Sequence, residues 1–238
     1  MDAAPRPADS SETAPAGAAV TTAPLLRRLF VTPVATAQLR GGTPPTPPAE
    51  EIASLGQPGE KRLREFAAGR ACARHALAQI GRHPIAIPRR VDGRPQWPDN
   101  IVGSVSHCHG YAAAVVARRS RLRSLGLDIE RVADVDAAFE ADICTPSERE
   151  WIRGLPASRR LPALALLFSA KEALYKCQHP LTGRWIEFSE VSLRPHGERI
   201  AIETAPAELA GWQWSGRYLY SGGYVLTGFC ARSPTASG

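Results

Sequence analysis

A helix-length stretch followed by a set of short apolar runs occurs twice along this chain, and few folds accommodate that order. In the first pass, "EKRLREFAAGRACARHALAQIG" sets Phe66, Ala73, Leu77 and Ile80 on one stripe, and Gly81 supplies a stop. The runs "IVGSVSH" (101–107), "YAAAVVA" (111–117) and "SLGLDIE" (124–130) follow, separated by polar or glycine-containing breaks. They read as three strands of an antiparallel meander. In the second pass, "TPSEREWI" begins with Thr145 as N-cap, Pro146 at the first helical position and Glu148 at the third, a capping box. A helix over about 161–177 ends before Pro180, and strands are expected at 185–193, 212–220 and 224–230. The expected class is α+β. The repeated order hints at two similar lobes, although identity between the halves is too low to show duplication.

Residues 1–22, rich in Ala, Pro, Ser and Thr, read as a disordered tail, and 233–238 as a second tail. The lobes are expected at 23–133 and 134–232, with "GGTPPTPP" (41–48) an extended stretch that cannot be helix. "RRLFVTPVATA" (27–37) has the paired arginines of an export signal, but Pro33 and two threonines break its apolar part. It reads instead as an early strand over 29–34. No apolar run approaches the roughly 18 residues of a membrane span, so no membrane contact is expected. Cys72, Cys108, Cys144, Cys177 and Cys230 lie far apart with no CxxC pair, which suits reduced thiols in a cytoplasmic protein.

The net charge of +6 favours an anionic partner: nucleic acid, a phosphorylated cofactor or an acidic protein. Aromatic content is 7%, the arginines are dispersed and no nucleic-acid motif is present, so the first of these is disfavoured. Alternation puts Asp128 and Glu130 on one strand face, where they form either a hard-cation site or a solvated pair of acids. "GSVSHCHG" offers Ser106, His107 and His109. A phosphate site needs only the hydroxyl and an imidazole, whereas zinc needs two further ligands that nothing nearby in sequence supplies. "FSAKEALYK" (168–176) places Lys171, Glu172 and Lys176 on a helix; taken alone, Glu172 and Lys176 at i and i+4 read as a solvated face. Arg62, Arg70 and Arg74 recur at helical spacing.

It is the order of these pieces that carries information. "GR-x-C-A-x-x-A-L", "GRPQWP" (93–98), "SVSHC", "GLDIE" and, about 40 residues on, "FSAKEALYK" resemble the 4′-phosphopantetheinyl transferases. The likeness is closest to the single-chain type that serves synthetases and synthases, on the branch of the enterobactin synthetase component D and its actinobacterial relatives. The family pattern G-[hydrophobic]-D-x-E…[FW]-[SC]-x-K-E-[AS]-x-x-K is met by Gly126, Leu127, Asp128, Glu130, Phe168, Ser169, Lys171, Glu172 and Lys176. Leu127 stands where Ile or Val is commoner.

The resemblance covers about 50–195 and implies two α/β lobes related by a pseudo-twofold axis, with coenzyme A as substrate in the cleft between them. It implies transfer of 4′-phosphopantetheine to a serine of an apo acyl or peptidyl carrier protein, releasing adenosine 3′,5′-bisphosphate, by a monomeric enzyme. Asp128, Glu130 and Glu172 would hold Mg²⁺, or Mn²⁺ in its place. Glu172 would act as general base and Lys176 would attend the departing phosphate. Arg62, Arg70 and Arg89, with Arg90 as the alternative to Arg89, would bind the 3′-phosphate end, and Ser106, His107 and Lys171 would contact phosphate. Carrier proteins of fatty acid, polyketide, peptide and siderophore assembly all remain open. The competing readings are a relative that binds coenzyme A without transfer, and a basic nucleic-acid-binding protein.

Overall fold

Residues 19–83 and 86–233 are described in the computed structural model. Of the expected tails, 1–18 and 234–238 lie outside the described residues, but Thr21–Thr22 form a short strand, β1, whose residues pair with Gln38 and Ala37. Next come α1 (Pro24–Arg27), β2 (Ala35–Arg40), α2 (Ala49–Ala53), α3 (Glu60–Ala78), β3 (Ile101–Cys108), β4 (Tyr111–Arg118) and β5 (Ser124–Arg131). The second half holds α4 (Glu140–Ile143), α5 (Pro146–Arg153), α6 (Ala157–Thr182), β6 (Ser192–His196), β7 (Arg199–Thr204), β8 (Gln213–Ser221) and β9 (Tyr224–Arg232). The α+β class and the two helix-on-sheet halves are as expected.

Two sheets organise the chain, one in the order β1-β2-β4-β3 and the other β5-β9-β8-β7-β6. The long helix α3 buries Cys72, Ala73, Ala76 and Leu77 against Ala112, Ala114 and Val116 of the first sheet. The still longer α6 buries Leu166, Ala170, Ala173 and Leu174 with Val225 and Phe229 of the second. A third apolar cluster, with Leu26, Leu29 and Phe30 packed beside Leu125, Leu127, Ile129 and Leu226, joins the halves.

The expected three-stranded meander is corrected here. β3 and β4 form a hairpin in register from Ile101↔Arg118 to Cys108↔Tyr111, but β5 leaves it and pairs antiparallel with β9. The strand assigned to the first lobe is therefore hydrogen-bonded into the second sheet. β3 and β5 are the facing edges of their sheets, and serine side chains link them. The Leu127 amide donates to Ser104 Oγ (3.0 Å) and the Ile129 amide to Ser106 Oγ (3.2 Å). Buried amides require acceptors, and the serines of "GSVSH" supply them without a continuous ladder.

Other boundaries moved for local reasons. The strand expected at 29–34 is absent, because Leu26, Leu29 and Phe30 recur at helical spacing after Pro24, at the first position of α1, and plug the core together. α6 runs through Pro180 to Thr182, since a proline in the last turn removes only one bond; the stop is Gly183 at φ +69°, whose amide reaches His179 O at 2.9 Å. No strand covers 185–191, where Glu187 and Glu190 cap a short 3₁₀ turn reciprocally. β6 starts at Ser192, and "RIAIET" forms β7 after a turn at Gly197, φ +57°. The capping box of α5 forms as expected.

Candidate active site

A cleft of about 1280 Å³ opens between the two halves. One wall is α3 and the β3 strand, with Arg62, Arg70, Ser106 and His107; the loop 89–100 supplies Arg89 and Arg90; the far wall is β5 and α6, with Asp128, Glu130, Glu172 and Lys176. Ten of the residues singled out in the sequence thus meet in one cavity although they are spread from position 62 to 176.

Close contact of α6 with β5 makes this possible. On β5, Gly126, Asp128 and Glu130 share the face toward α6. A Cβ on Gly126 would lie 1.8 Å from Ala173 O, so only glycine lets the helix backbone sit directly on the strand. That approach brings Lys176 Nζ to 2.5 Å from Asp128 Oδ1. Ser106 donates a second bond to the same oxygen at 3.0 Å while accepting from the Ile129 amide. The hydroxyl expected at phosphate is therefore already committed to Asp128. The other carboxylate oxygen, Asp128 Oδ2, is buried with no hydrogen-bond partner.

Charge is concentrated and partly desolvated. Burial, reinforced by the Asp128 carboxylate, pushes Glu130 up to about 7. Burial, with Asp128 adding to it, also raises Glu172, although Lys176 opposes the shift. For Lys176, burial disfavours the ammonium, but Asp128, Glu172 and Glu130 together outweigh it and hold the group above the usual lysine range. Burial lowers His107, favouring neutral imidazole beside Arg62, whose Nη1 is 3.4 Å from His107 Nε2.

The cationic wall is built as a rigid element where it is buried. Arg70 is 5% exposed; its Nε donates to Ile87 O at 2.6 Å and its guanidinium lies 4.5 Å from the centre of the Phe66 ring. Burial pulls it down to about 10; Glu51 opposes the shift and Arg62, Arg74 and Arg89 add to it, a repulsion that an anion in the cleft would offset. Arg74, which had no assigned role, forms an ion pair with buried Glu51 at 2.5 Å.

Lys171 is a correction. Expected at the coenzyme A phosphates, its ammonium instead turns into the second core, 2% exposed, where it donates to Glu148 Oε2 (2.7 Å), Ile143 O (2.8 Å) and Phe188 O (2.8 Å). It is not among the residues lining the cleft. The 100° offset per helical residue points Lys171 and Glu172 in different directions, and the capping carboxylate of Glu148 takes the lysine.

Sequence reasoning missed an aromatic wall: Tyr175, His179 and Trp185 also line the cleft, with Tyr175 ring centres 5.2 Å from His179 and 4.9 Å from Trp185. Its signal was present, since Glu172, Tyr175, Lys176 and His179 follow i, i+3, i+4, i+7 on one helix face. His109 does not join His107 at the cleft: it sits in the β3–β4 turn at φ +44° and pairs with Asp134 at 2.8 Å.

As a cation site, Asp128, Glu130 and Glu172 suit a hard divalent ion in charge and donor type, and the unpartnered Asp128 Oδ2 is an acceptor in need of one. Lys176 is the positive charge that Asp128 has at present.

Residues 50–117 match the 4′-phosphopantetheinyl transferase N-terminal domain, and 124–228 match the 4′-phosphopantetheinyl transferase superfamily. The second match begins at β5, the strand that joins the second sheet. The chain is 44% identical over 195 residues to the 4′-phosphopantetheinyl transferase Npt of Nocardia iowensis, covering 76% of this chain and 86% of that one. It is 37% identical over 198 residues to Svp of Streptomyces mobaraensis (79% and 80% covered). It is 39% identical over 175 residues to PptT of Mycobacterium tuberculosis (73% and 71% covered).

Proposed function

The chain belongs to the 4′-phosphopantetheinyl transferase family, and from this premise we infer how its cleft moves the phosphopantetheine of coenzyme A to a carrier-protein serine. The observation that carries the assignment is Asp128: one oxygen held by Lys176 and Ser106, the other buried and unpartnered, facing a cleft walled with arginine.

Coenzyme A lies with its 3′-phosphate end toward Arg70, Arg62 and Arg89 or Arg90, whose forked donors suit phosphate oxygens. Its pyrophosphate lies toward Asp128, Glu130 and Glu172, which would hold Mg²⁺, or Mn²⁺ in its place. The ion, when bound, supplies charge neutralisation on the pyrophosphate oxygens. Glu172, made more basic by burial, takes the proton of the attacking serine. The serine oxygen forms its bond to phosphorus as the bond to the bridging pyrophosphate oxygen breaks. Adenosine 3′,5′-bisphosphate departs, and Lys176, kept charged by the surrounding carboxylates, offsets the charge that develops on it.

The net charge of +6 steers an acidic carrier domain toward the cleft. Both walls come from one chain, which supports a monomer. Five unpaired cysteines support a reducing, cytoplasmic setting, and among the described residues no helix is long and apolar enough to cross a membrane.

The test is incubation with apo carrier domains, coenzyme A and Mg²⁺, read by intact mass. The wild type should add one phosphopantetheine per carrier, and folded Asp128→Ala should add none. Wild-type turnover by Asp128→Ala at limiting Mg²⁺ would remove Asp128 from the metal site. Thermal stabilisation by coenzyme A with no carrier modified would favour a relative that only binds.

A further inference from the structure

We propose that the β3–β4 turn carries a second cation site, for a thiophilic divalent ion of the Zn²⁺ class, built from Cys108, His109 and Asp134 and completed by Glu130. The donor atoms of Cys108, His109 and Asp134 all lie within 4.8 Å of one another, and no other such trio is gathered as tightly among the described residues. His109 Nδ1 is 2.8 Å from Asp134 Oδ2, and Cys108 Sγ is 3.6 Å from Glu130 Oε2. Tetrahedral zinc, with bonds of about 2.0–2.3 Å, separates its ligand atoms by about 3.3–3.6 Å. The donors of Cys108, His109 and Asp134 therefore need only side-chain adjustment to meet that spacing, and Glu130, already at Cys108 Sγ, is the carboxylate that would swing in as the fourth.

The donor set decides the ion. Thiolate, imidazole and carboxylate together select zinc over magnesium, whereas Asp128 and Glu172 offer only hard oxygen. Cys108 is also the one cysteine of five that is only partly buried. The scaffold is well defined: His109 and Gly110, at φ +44° and +70°, form the two-residue turn of the hairpin, and Asp134 closes the 3₁₀ turn that follows β5. Arg131, 3.7 Å from Asp134 Oδ1, opposes a cation, but its side chain is 48% exposed and free to swing into water. Binding releases the thiol proton to solvent as the sulfur–metal bond forms. The Cys108-to-Glu130 hydrogen bond is then replaced by two bonds to one ion.

The functional consequence rests on the transferase reading above. Glu130 cannot serve both sites, so an ion on Cys108 and His109 draws it away from Asp128 and Glu172 and lowers transfer.

Titration of the full chain with Co²⁺ alone reads the site without catalysis. One equivalent should give a thiolate-to-cobalt charge-transfer band and tetrahedral visible bands. Cys108→Ser should lose the first. His109→Asn, a residue that suits the left-handed turn, should weaken binding by more than the roughly tenfold cost of losing an outer-sphere partner. Asp128→Ala should keep both bands. No thiolate band, or one that survives Cys108→Ser, overturns the site. In the carrier assay at saturating Mg²⁺, added Zn²⁺ should slow the wild type more than His109→Asn. Equal slowing overturns the coupling through Glu130. If no carrier is modified even without Zn²⁺, the transferase reading fails while the cobalt spectra still decide the site.

Discussion

Replacing Lys171 with methionine separates a structural role from a catalytic one in the very motif that identifies the family. The side chain keeps its length, but its ammonium is lost from three acceptors at 2.7–2.8 Å. Removing one member of a buried ion pair costs about 3–5 kcal/mol, because the remaining charge is stranded. Here Glu148 keeps donors from the Thr145 amide (2.8 Å) and the Leu193 amide (2.7 Å), which places the expected loss near the lower limit, about 3 kcal/mol. For a chain of this size, about 2–4 °C per kcal/mol gives a fall of about 6–12 °C in Tm. Calorimetry or circular dichroism reads that fall, and titration at a temperature where the variant is folded should find coenzyme A affinity within about twofold of wild type, well short of a lost charge-assisted bond. The double variant Lys171→Met/Glu148→Gln should recover part of the loss, since the stranded charge is gone. An unchanged Tm with affinity reduced about tenfold or more would refute the reasoning and return Lys171 to the phosphates, where a charge-assisted bond is worth that much.

Gly126→Ala should destabilise by about 3 kcal/mol, because its Cβ meets Ala173 O at 1.8 Å and α6 must retreat; the displaced Glu172 and Lys176 should also cost turnover. Unchanged melting and transfer would show that helix and strand do not touch there. Glu172→Gln should slow single-turnover transfer by about 10²–10⁴-fold while coenzyme A still binds, and a rate within about twofold of wild type would deny it the base role. Arg70→Ala should cost coenzyme A about 1.5–3 kcal/mol more than dephospho-coenzyme A by calorimetric titration, whereas equal losses would remove it from the 3′-phosphate.

Much of the site was legible because its determinants are local. Alternation along β5 put Asp128 and Glu130 on one face, and helical spacing put Glu172 and Lys176 one turn apart, whatever those elements packed against. The capping box at Thr145, the stripe of α3 and the α+β class follow from the same short-range geometry. Periodicity cannot say which sheet edge a strand joins. β5 reads as the third strand of a meander, but pairs with β9, about 100 residues later, and meets β3 through two serine hydroxyls. Nor can it say what a charge on a helix faces. Lys171 and Glu172 are neighbours in sequence, yet one enters the core to meet Glu148 and the other enters the cleft. The cluster at Cys108, His109 and Asp134 escaped the sequence for the same reason: its last donor lies beyond two intervening strands, β4 and β5. Side-chain type, spacing and the local faces of helices and strands were determined by sequence alone. Sheet partners, and which charges were left to find ions or substrate, were decided only when the chain packed, because burial sets the cost of an unpaired charge and only the tertiary contacts say where it is buried.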